Sequence, residues 1–159
     1  MNIAVISPCG KYRYALTRSI EQPIRWVKPV LFIMLNPSTA DAVSDDPTIR
    51  RCIQFTKDMG GTKLTVCNLF ALRSTDPEQL LKAEDPIGPD NLMVLMSELK
   101  DHTFGEIILA FGNHKAVKKF DLSIFDHFNV KCLGTTKNGM PRHPLYLKKD
   151  TKPVEWKRK

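Results

Sequence analysis

The stretch LFIMLNPSTADAVSDDPTIRR, residues 31–51, decides the fold class. The apolar run at 30–35 is typical of a strand that is buried on both faces of a sheet. A polar turn at 36–39 follows at once, and an acidic pair before Pro47 then starts an amphipathic helix that ends at Gly60. A buried strand followed by a polar turn and a helix predicts an α/β fold.

The same alternation continues along the chain. Further strands are predicted in KLTVCNLF (63–70), EIILAFG (106–112) and NVKCLG (129–134), and further helices at 76–83, 88–102 and 113–125. Helices between strands imply crossovers that cover both faces of a sheet. The sequence therefore predicts a three-layer α/β/α sandwich with a mostly parallel central sheet.

The composition fits one globular domain. The chain has 159 residues, of which 42% are hydrophobic, enough for a sizeable core. We expect a single α/β domain at 1–159, with an N-terminal hairpin or edge segment at 1–28 and a basic tail at 148–159. No run approaches the roughly 18 apolar residues of a membrane helix, and no signal-peptide pattern is present. The expectation is a cytoplasmic protein that has no membrane partner.

The cysteines do not suggest a metal centre. Cys9, Cys52, Cys67 and Cys132 lie far apart and form no close pair, whereas zinc and iron–sulfur ligands are usually closely spaced. Reduced thiols in the core are the favoured interpretation. We expect no metal and no cofactor.

The positive charge is concentrated at one end of the chain. The formal net charge is +7, and residues 136–159 contribute eight basic against two acidic side chains, or +6. The remaining residues are nearly balanced, so the basicity is not a property of the whole surface. Two interpretations stay open for this end: a solubilising or frayed tail, or a phosphate-binding segment.

The residues after the predicted strands share one chemistry. Ligands of open α/β sheets bind beyond the carboxyl ends of the strands. The side chains found there are nearly all neutral hydrogen-bonding groups or cations: Asn36, Ser38, Thr39, Asn68, Arg73, Asn113, His114, Lys137, Arg142 and His143. This mixture suits a heterocycle and a phosphate better than an acidic metal site.

Three types of side chain among these residues, an amide, a histidine and the cations, have specific candidate roles. The amide of Asn68 offers a donor and an acceptor, which suits the edge of a nucleobase. A neutral histidine can donate to a ring oxygen, and Lys137, Arg142 and Arg73 can hold phosphate. Structural alternatives remain, namely a turn and helix cap at 36–38, a turn residue at Asn68 and a surface ion pair at Arg73.

The acidic turn after the first core strand has two interpretations. Asp45 or Asp46 can cap the following helix. Asp41 precedes the expected cap and lies close to Asn36 in sequence, so it is the candidate for a catalytic base or a ligand of a ribose hydroxyl.

The order of the motifs resembles the uracil-DNA glycosylase superfamily. The matching features are a strand followed by Asn36-Pro37-Ser38, a strand ending in Asn68, and a late His143-Pro144 pair. The resemblance implies a parallel α/β/α sheet, with Asn36 orienting an attacking water, Asn68 reading the base and His143 stabilising the leaving base. It also implies supporting contacts from Ser38, Thr39, Lys137 and Arg142.

The sequence departs from that superfamily after the His-Pro pair, where Leu145 and Tyr146 replace the usual small polar residue. No aromatic residue follows Asn36 closely enough to be assigned as the stacking platform. The candidates are Phe55, Phe70 and the tyrosines of the YRY segment, and Phe70 is placed in the predicted base-binding set.

A second resemblance spans nearly the whole chain. The segments SPCGKYRY, LNPSTAD and TKNGMPRHPLYL are similar to those of a family of small uncharacterised bacterial and phage proteins. This resemblance implies a family without implying an activity.

The expected function is a base-recognising N-glycosidase-like enzyme that acts on a nucleobase in DNA or in a nucleotide. One alternative is a noncatalytic module that binds a nucleotide or a modified base. Another is a nucleotide-processing hydrolase or transferase on the same fold, because a fold does not dictate a reaction. In each case the expected partner is a nucleic acid or a nucleotide.

Overall fold

The protein contains one seven-stranded mixed sheet with few helices, in a computed structural model that describes all residues from 1 to 159. The strands are β1 (Ile3–Ile6), β2 (Arg13–Ser19), β3 (Pro29–Met34), β4 (Lys63–Asn68), β5 (Glu106–Leu109), β6 (Lys131–Cys132) and β7 (Val154–Glu155). The α-helices are α1 (Pro47–Asp58), α2 (Gln79–Lys82) and α3 (Asn91–Asp101). Short 3-10 helices span Lys115–Lys119, Leu122–His127 and Pro144–Tyr146.

The strand order is β1-β2-β4-β3-β5-β6-β7, and parallel pairing is confined to the four strands from β4 to β6. The other three pairs are antiparallel. This corrects the expectation of a mostly parallel sheet. The difference arises because the N-terminal hairpin β1-β2 adds to one edge and the C-terminal segment adds β7 to the other.

The α1 face of the sheet forms the smaller of two hydrophobic clusters. Side chains of α1 (Ile49, Cys52, Phe55) pack there against Phe32 and Val66 of the central strands. Asp46 caps the helix, since its Oδ1 accepts a hydrogen bond from the Ile49 N–H at 2.9 Å. The capped amphipathic helix is present where the sequence predicts it.

The α3 face of the sheet forms the larger cluster. Leu95 and Leu99 of α3 pack there with Leu31, Cys67 and Leu109 of the sheet. The segment 113–125, predicted as one helix, forms two 3-10 helices instead. The break occurs because extended residues separate them and the Asp121 side chain accepts from the Ser123 N–H to start the second one.

The C-terminal segment is an ordered part of the sheet. Trp156 is only 6% exposed, and its Nε1 donates to the Gly139 carbonyl at 2.9 Å. A frayed tail is therefore wrong as an interpretation of the part that contains β7 and Trp156. No helix of the chain has the length and apolar character needed to cross a membrane.

Three of the four cysteine thiols, Cys52, Cys67 and Cys132, are buried and unpaired, as expected for core thiols. Cys9 is exposed, because it lies in the turn between β1 and β2. No group of three or more His, Cys, Asp or Glu side chains is arranged to hold a metal ion.

Candidate functional site

A pocket of about 400 Å³ lies at the carboxyl ends of β3 and β4, beside the first turn of α1. Its size is within the range of small-molecule sites. It is lined by Arg13, Met34, Leu35, Asn36, Ser38, Asp46, Thr48, Ile49, Val66, Asn68, Ser74, Thr75, Pro77, His143, Leu145 and Tyr146. The structure thus brings Asn36, Asn68 and His143, which are distant in sequence, into one cavity.

Asn68 is the most informative residue of the pocket. It ends β4 and is 1% exposed, yet neither its Oδ1 nor its Nδ2 has a hydrogen-bond partner within the chain. The backbone at the end of β4 is fixed by Asn91, whose Nδ2 donates to the carbonyl oxygens of Asn68 and Leu69, each at 3.0 Å. Leaving a buried amide unpaired is costly, so this side chain is suited to hydrogen bonding with a ligand.

Asn36 has different surroundings. Its Nδ2 donates to the carbonyl oxygens of Ser74 at 2.9 Å and Pro37 at 3.1 Å, with a longer contact of 3.4 Å to Leu72. The Ser74 N–H also donates to the Pro37 carbonyl at 2.9 Å. Asn36 therefore ties the end of β3 to the 72–74 loop, and only its Oδ1 remains to accept a hydrogen bond from water or a ligand.

His143 is oriented by the 3-10 helix that it precedes. Its Nδ1 accepts from the Leu145 N–H at 3.2 Å, which leaves the proton of the neutral ring on Nε2. Burial lowers the pKa of His143 below its ordinary value, and the negative charge of Asp46 opposes this shift. The imidazole is therefore a neutral donor through Nε2 near pH 7.

The segment that carries His143 is fastened to α1. Arg51 donates to the carbonyl oxygens of Leu147 and Pro144, and its guanidinium lies 4.7 Å from the centre of the Phe55 ring. Because Arg51 belongs to α1, which borders the pocket, these bonds fix the position of the His143 segment relative to that helix.

The acidic residue of the pocket is Asp46, not Asp41. The Oδ1 of Asp41 accepts from the N–H groups of Val43 and Ser44, each at 2.9 Å, and these bonds lower its pKa. Arg18 binds the Asp41 carbonyl, which holds this turn against β2. The prediction that Asp41 is catalytic is corrected, because Asp41 lies outside the pocket and shapes a turn.

The predicted base-binding set is only partly assembled. Ser38 lines the pocket, whereas Thr39 is exposed outside it. Phe70 is corrected: it is fully buried on the α3 face, with its ring edge-on to Phe120 at 6.0 Å, and cannot stack on a ligand. The aromatic residue at the pocket is Tyr146, which is 87% exposed and was not predicted.

The other aromatic candidates are also unavailable. Phe55, Tyr12 and Tyr14 are buried in the hydrophobic clusters and do not line the pocket. Tyr146 follows His143, Pro144 and Leu145 directly in sequence. An exposed aromatic residue so close to a candidate site histidine was the signal that could have identified it. Its ring lies 6.5 Å from that of His143.

The three cations predicted to bind phosphate do not line the pocket, which corrects that assignment. Arg142 Nε donates to the Thr135 carbonyl at 2.9 Å and borders a separate depression. Arg73 Nη1 donates to the Gly10 carbonyl at 3.2 Å, and Lys137 is exposed on a turn. Lys137 and Arg142 lie away from the pocket because the 135–141 segment folds back on itself through a Thr135–Pro141 bridge.

The cation of the pocket is Arg13, which sequence reasoning missed. This arginine is 2% exposed, and its Nη1 donates to the Ala40 carbonyl at 2.8 Å while its Nε has no partner. Burial lowers its pKa to about 10, so the guanidinium remains charged near pH 7. The sequence signal that could have identified Arg13 was a charged residue between two tyrosines in a predicted strand. Ser74 and Thr75 of the neighbouring loop were also missed.

Comparison with known proteins identifies a family. No curated protein and no solved structure matches the chain. The model of a family described as "Protein of unknown function (DUF1643)" matches residues 13–145, which include every pocket residue except Tyr146. The chain belongs to this DUF1643 family.

Proposed function

We propose that the pocket binds a nucleobase and that the protein is an N-glycosidase-like enzyme acting on a base in DNA or in a nucleotide. The observation that carries this proposal is the unpaired amide of Asn68, which is buried in the wall of a cavity. One amide presents a donor and an acceptor side by side, and nucleobase edges offer the complementary pair. A ligand of this kind satisfies both atoms at once.

The neighbouring residues support a hydrolytic role. In the proposed reaction the C1′–N bond breaks, the base leaves with the bonding electrons, and the oxygen of water bonds to C1′ while its proton is released. His143 donates through Nε2 to the departing base, which carries negative charge in the transition state. Asn36 accepts a hydrogen bond from the attacking water through Oδ1.

The proposed function includes a proposed architecture for the domain. A three-layer α/β/α sandwich like that of uracil-DNA glycosylases is supported by the packing of α1 and α3 on opposite faces. It is also supported by a pocket at the carboxyl ends of adjacent parallel strands. If the base lies in duplex DNA, it has to be flipped out to enter. A cytoplasmic location is proposed with it.

The proposal is tested by measuring released base. Purified protein is incubated with single- and double-stranded oligonucleotides that contain uracil, hypoxanthine or the ordinary bases, and with the matching nucleoside monophosphates. Free base is quantified by mass spectrometry. The wild type is expected to release one base. Asn68→Leu should lower that release by about 5- to 150-fold, because a lost bidentate contact is worth roughly 1–3 kcal/mol.

A matched control is Asn129→Leu, which makes the same substitution at an exposed position outside the pocket. It should release base at the wild-type rate. Release that is equal in the wild type and Asn68→Leu would contradict the role of Asn68. No release from any substrate by the wild type would contradict the enzymatic proposal.

A noncatalytic binding module is the second candidate, and the surroundings of Asn36 favour it. The amide nitrogen of Asn36 is already bonded to loop carbonyls, which is the arrangement of a structural residue. This candidate predicts that a base or nucleotide raises the melting temperature of the wild type while no substrate loses its base.

A further inference from the structure

The pocket contains a buried positive charge that forms no ion pair with a carboxylate. Arg13 is 2% exposed and is absent from the ion pairs of the chain, while its Nε has no acceptor. Asp46 lines the same pocket and is the acidic group with the largest electrostatic effect on Arg13, but its Oδ1 caps α1. Burying a charge without a close partner is unfavourable, so such a charge usually has a binding partner.

A β-bulge directs this arginine into the pocket. Val5 pairs with Ala15 and Ile6 pairs with Arg13, so Tyr14 is an extra residue in β2. Tyr14 and Ala15 therefore both pack on the α3 face, and Arg13 turns to the α1 face, where it reaches the pocket. In a regular strand Arg13 would share the face of Ala15. Bulges often re-aim a side chain beside a functional site.

Arg13 also lines the same cavity as Asn68, the residue proposed to bind the base. β2 pairs with β4, and the Arg13 N–H donates to the Ala71 carbonyl at 2.9 Å, just beyond the end of β4 at Asn68. Two of the residues that line this cavity thus carry unpaired polar atoms, namely the amide of Asn68 and Nε of Arg13. Together they can bind a group that has a hydrogen-bonding edge and a negative charge.

We propose that Arg13 binds an oxyanion of the ligand, so that the substrate class is a nucleobase compound that carries a carboxylate or a phosphate, and not an uncharged base or nucleoside. This inference rests on the proposed nucleobase site. A carboxylate or phosphate oxygen accepts a charge-assisted hydrogen bond from the guanidinium, which a neutral ligand cannot do equally well. The oxyanion belongs either to the base itself or to the 5′-phosphate.

The test compares ligands that differ by one anionic group. Calorimetric titrations of the full chain use uracil against orotate, which is uracil with a carboxylate, and uridine against uridine 5′-monophosphate. The anionic member of one pair should bind about 10- to 100-fold more tightly. The first pair reports an oxyanion on the base, and the second reports the phosphate.

The variants assign the preference to Arg13. Arg13→Met should abolish the preference for the anionic ligand, and Arg13→Lys, which keeps the charge, should retain part of it. Arg25→Met removes an exposed arginine outside the pocket and should behave like the wild type. Thermal unfolding of each variant without ligand verifies that it is folded.

The inference is overturned if the two members of both pairs bind the wild type equally, if none binds, or if Arg13→Met keeps the full preference. Should Arg13→Met fail to fold, the comparison of ligands on the wild type and Arg13→Lys still decides. Because the readout is binding, it is independent of base release. An enzyme that releases a base but binds both members of each pair equally keeps the proposed function and loses only this inference.

Discussion

Two strand-end asparagines lie in one pocket and have opposite surroundings. The amide nitrogen of Asn36 donates to loop carbonyls and joins β3 to the 72–74 loop. Both polar atoms of Asn68, at the end of the adjacent β4, have no partner. The same residue type, near the ends of adjacent strands, holds a loop through its amide nitrogen in one case and has both polar atoms available to a ligand in the other. Hydrogen-bond surroundings, and not residue type, separate the two roles.

The largest expected effect is the loss of stability on Asn36→Leu. The substitution removes the donor for the carbonyl oxygens of Ser74 and Pro37, and it should lower the free energy of unfolding by about 2–3 kcal/mol. Urea unfolding monitored by circular dichroism measures the difference. Asn138→Leu, on an exposed turn, is the control and should have little effect. An unchanged stability would show that Asn36 does not hold the loop.

The same substitution at Asn68 should have a much smaller effect on stability. Asn68→Leu breaks no side-chain hydrogen bond and removes two unpaired polar atoms, so the free energy of unfolding should stay within about 1 kcal/mol of the wild type or rise. The measurement is the same urea titration without ligand. A loss as large as that of Asn36→Leu would contradict the contrast between the two residues and indicate a structural role for Asn68.

The smallest expected effect concerns His143, whose ring has one engaged and one free nitrogen. Burial lowers its pKa in the folded protein below the ordinary 6.5. The unfolded chain therefore binds a proton first as the pH falls through 6.5, and stability declines from there down to the folded pKa. The free energy of unfolding should differ less between pH 7.5 and pH 5.5 in His143→Gln than in the wild type.

The control for this pH dependence is His127→Gln, at an exposed histidine outside the pocket. This variant removes an exposed histidine, so the comparison shows how much of the change in pH dependence comes from the half-buried ring of His143. An identical change in unfolding free energy between the two pH values for the wild type and His143→Gln would contradict the lowered pKa.

Local patterns predicted the central strands well. The apolar runs at 30–35 and 106–112 both contain strands of the sheet, and the capped helix after Asp46 is present. These features depend on neighbours in sequence: side-chain periodicity, a proline in the first helical turn and a capping carboxylate. The antiparallel C-terminal strand β7 was not predicted, because its pairing with β6 is a long-range contact.

The candidate site was predicted in part. Asn36 and Asn68 could be placed near each other because the carboxyl ends of parallel strands meet at one edge of the sheet. His143 lies in a loop well beyond β6, and its role was expected only from the resemblance of the His-Pro pair. Assigning Phe70 to the base was wrong, because its burial depends on how the chain turns after β4. Arg142 was misplaced for a similar reason, since its loop folds back on itself.

By itself, the sequence determined the α/β class, the positions of the central strands along the chain and the identity of the polar residues that follow them. Periodicity and turn chemistry act over a few residues and can be read locally. Only the tertiary structure decided which of those polar groups have hydrogen-bond partners within the protein. The engagement of Asn36, the unpaired amide of Asn68 and the bulge that turns Arg13 inward all depend on segments that are distant in sequence. Hydrogen bonding and burial are properties of the assembled neighbours, and no single stretch of sequence contains them.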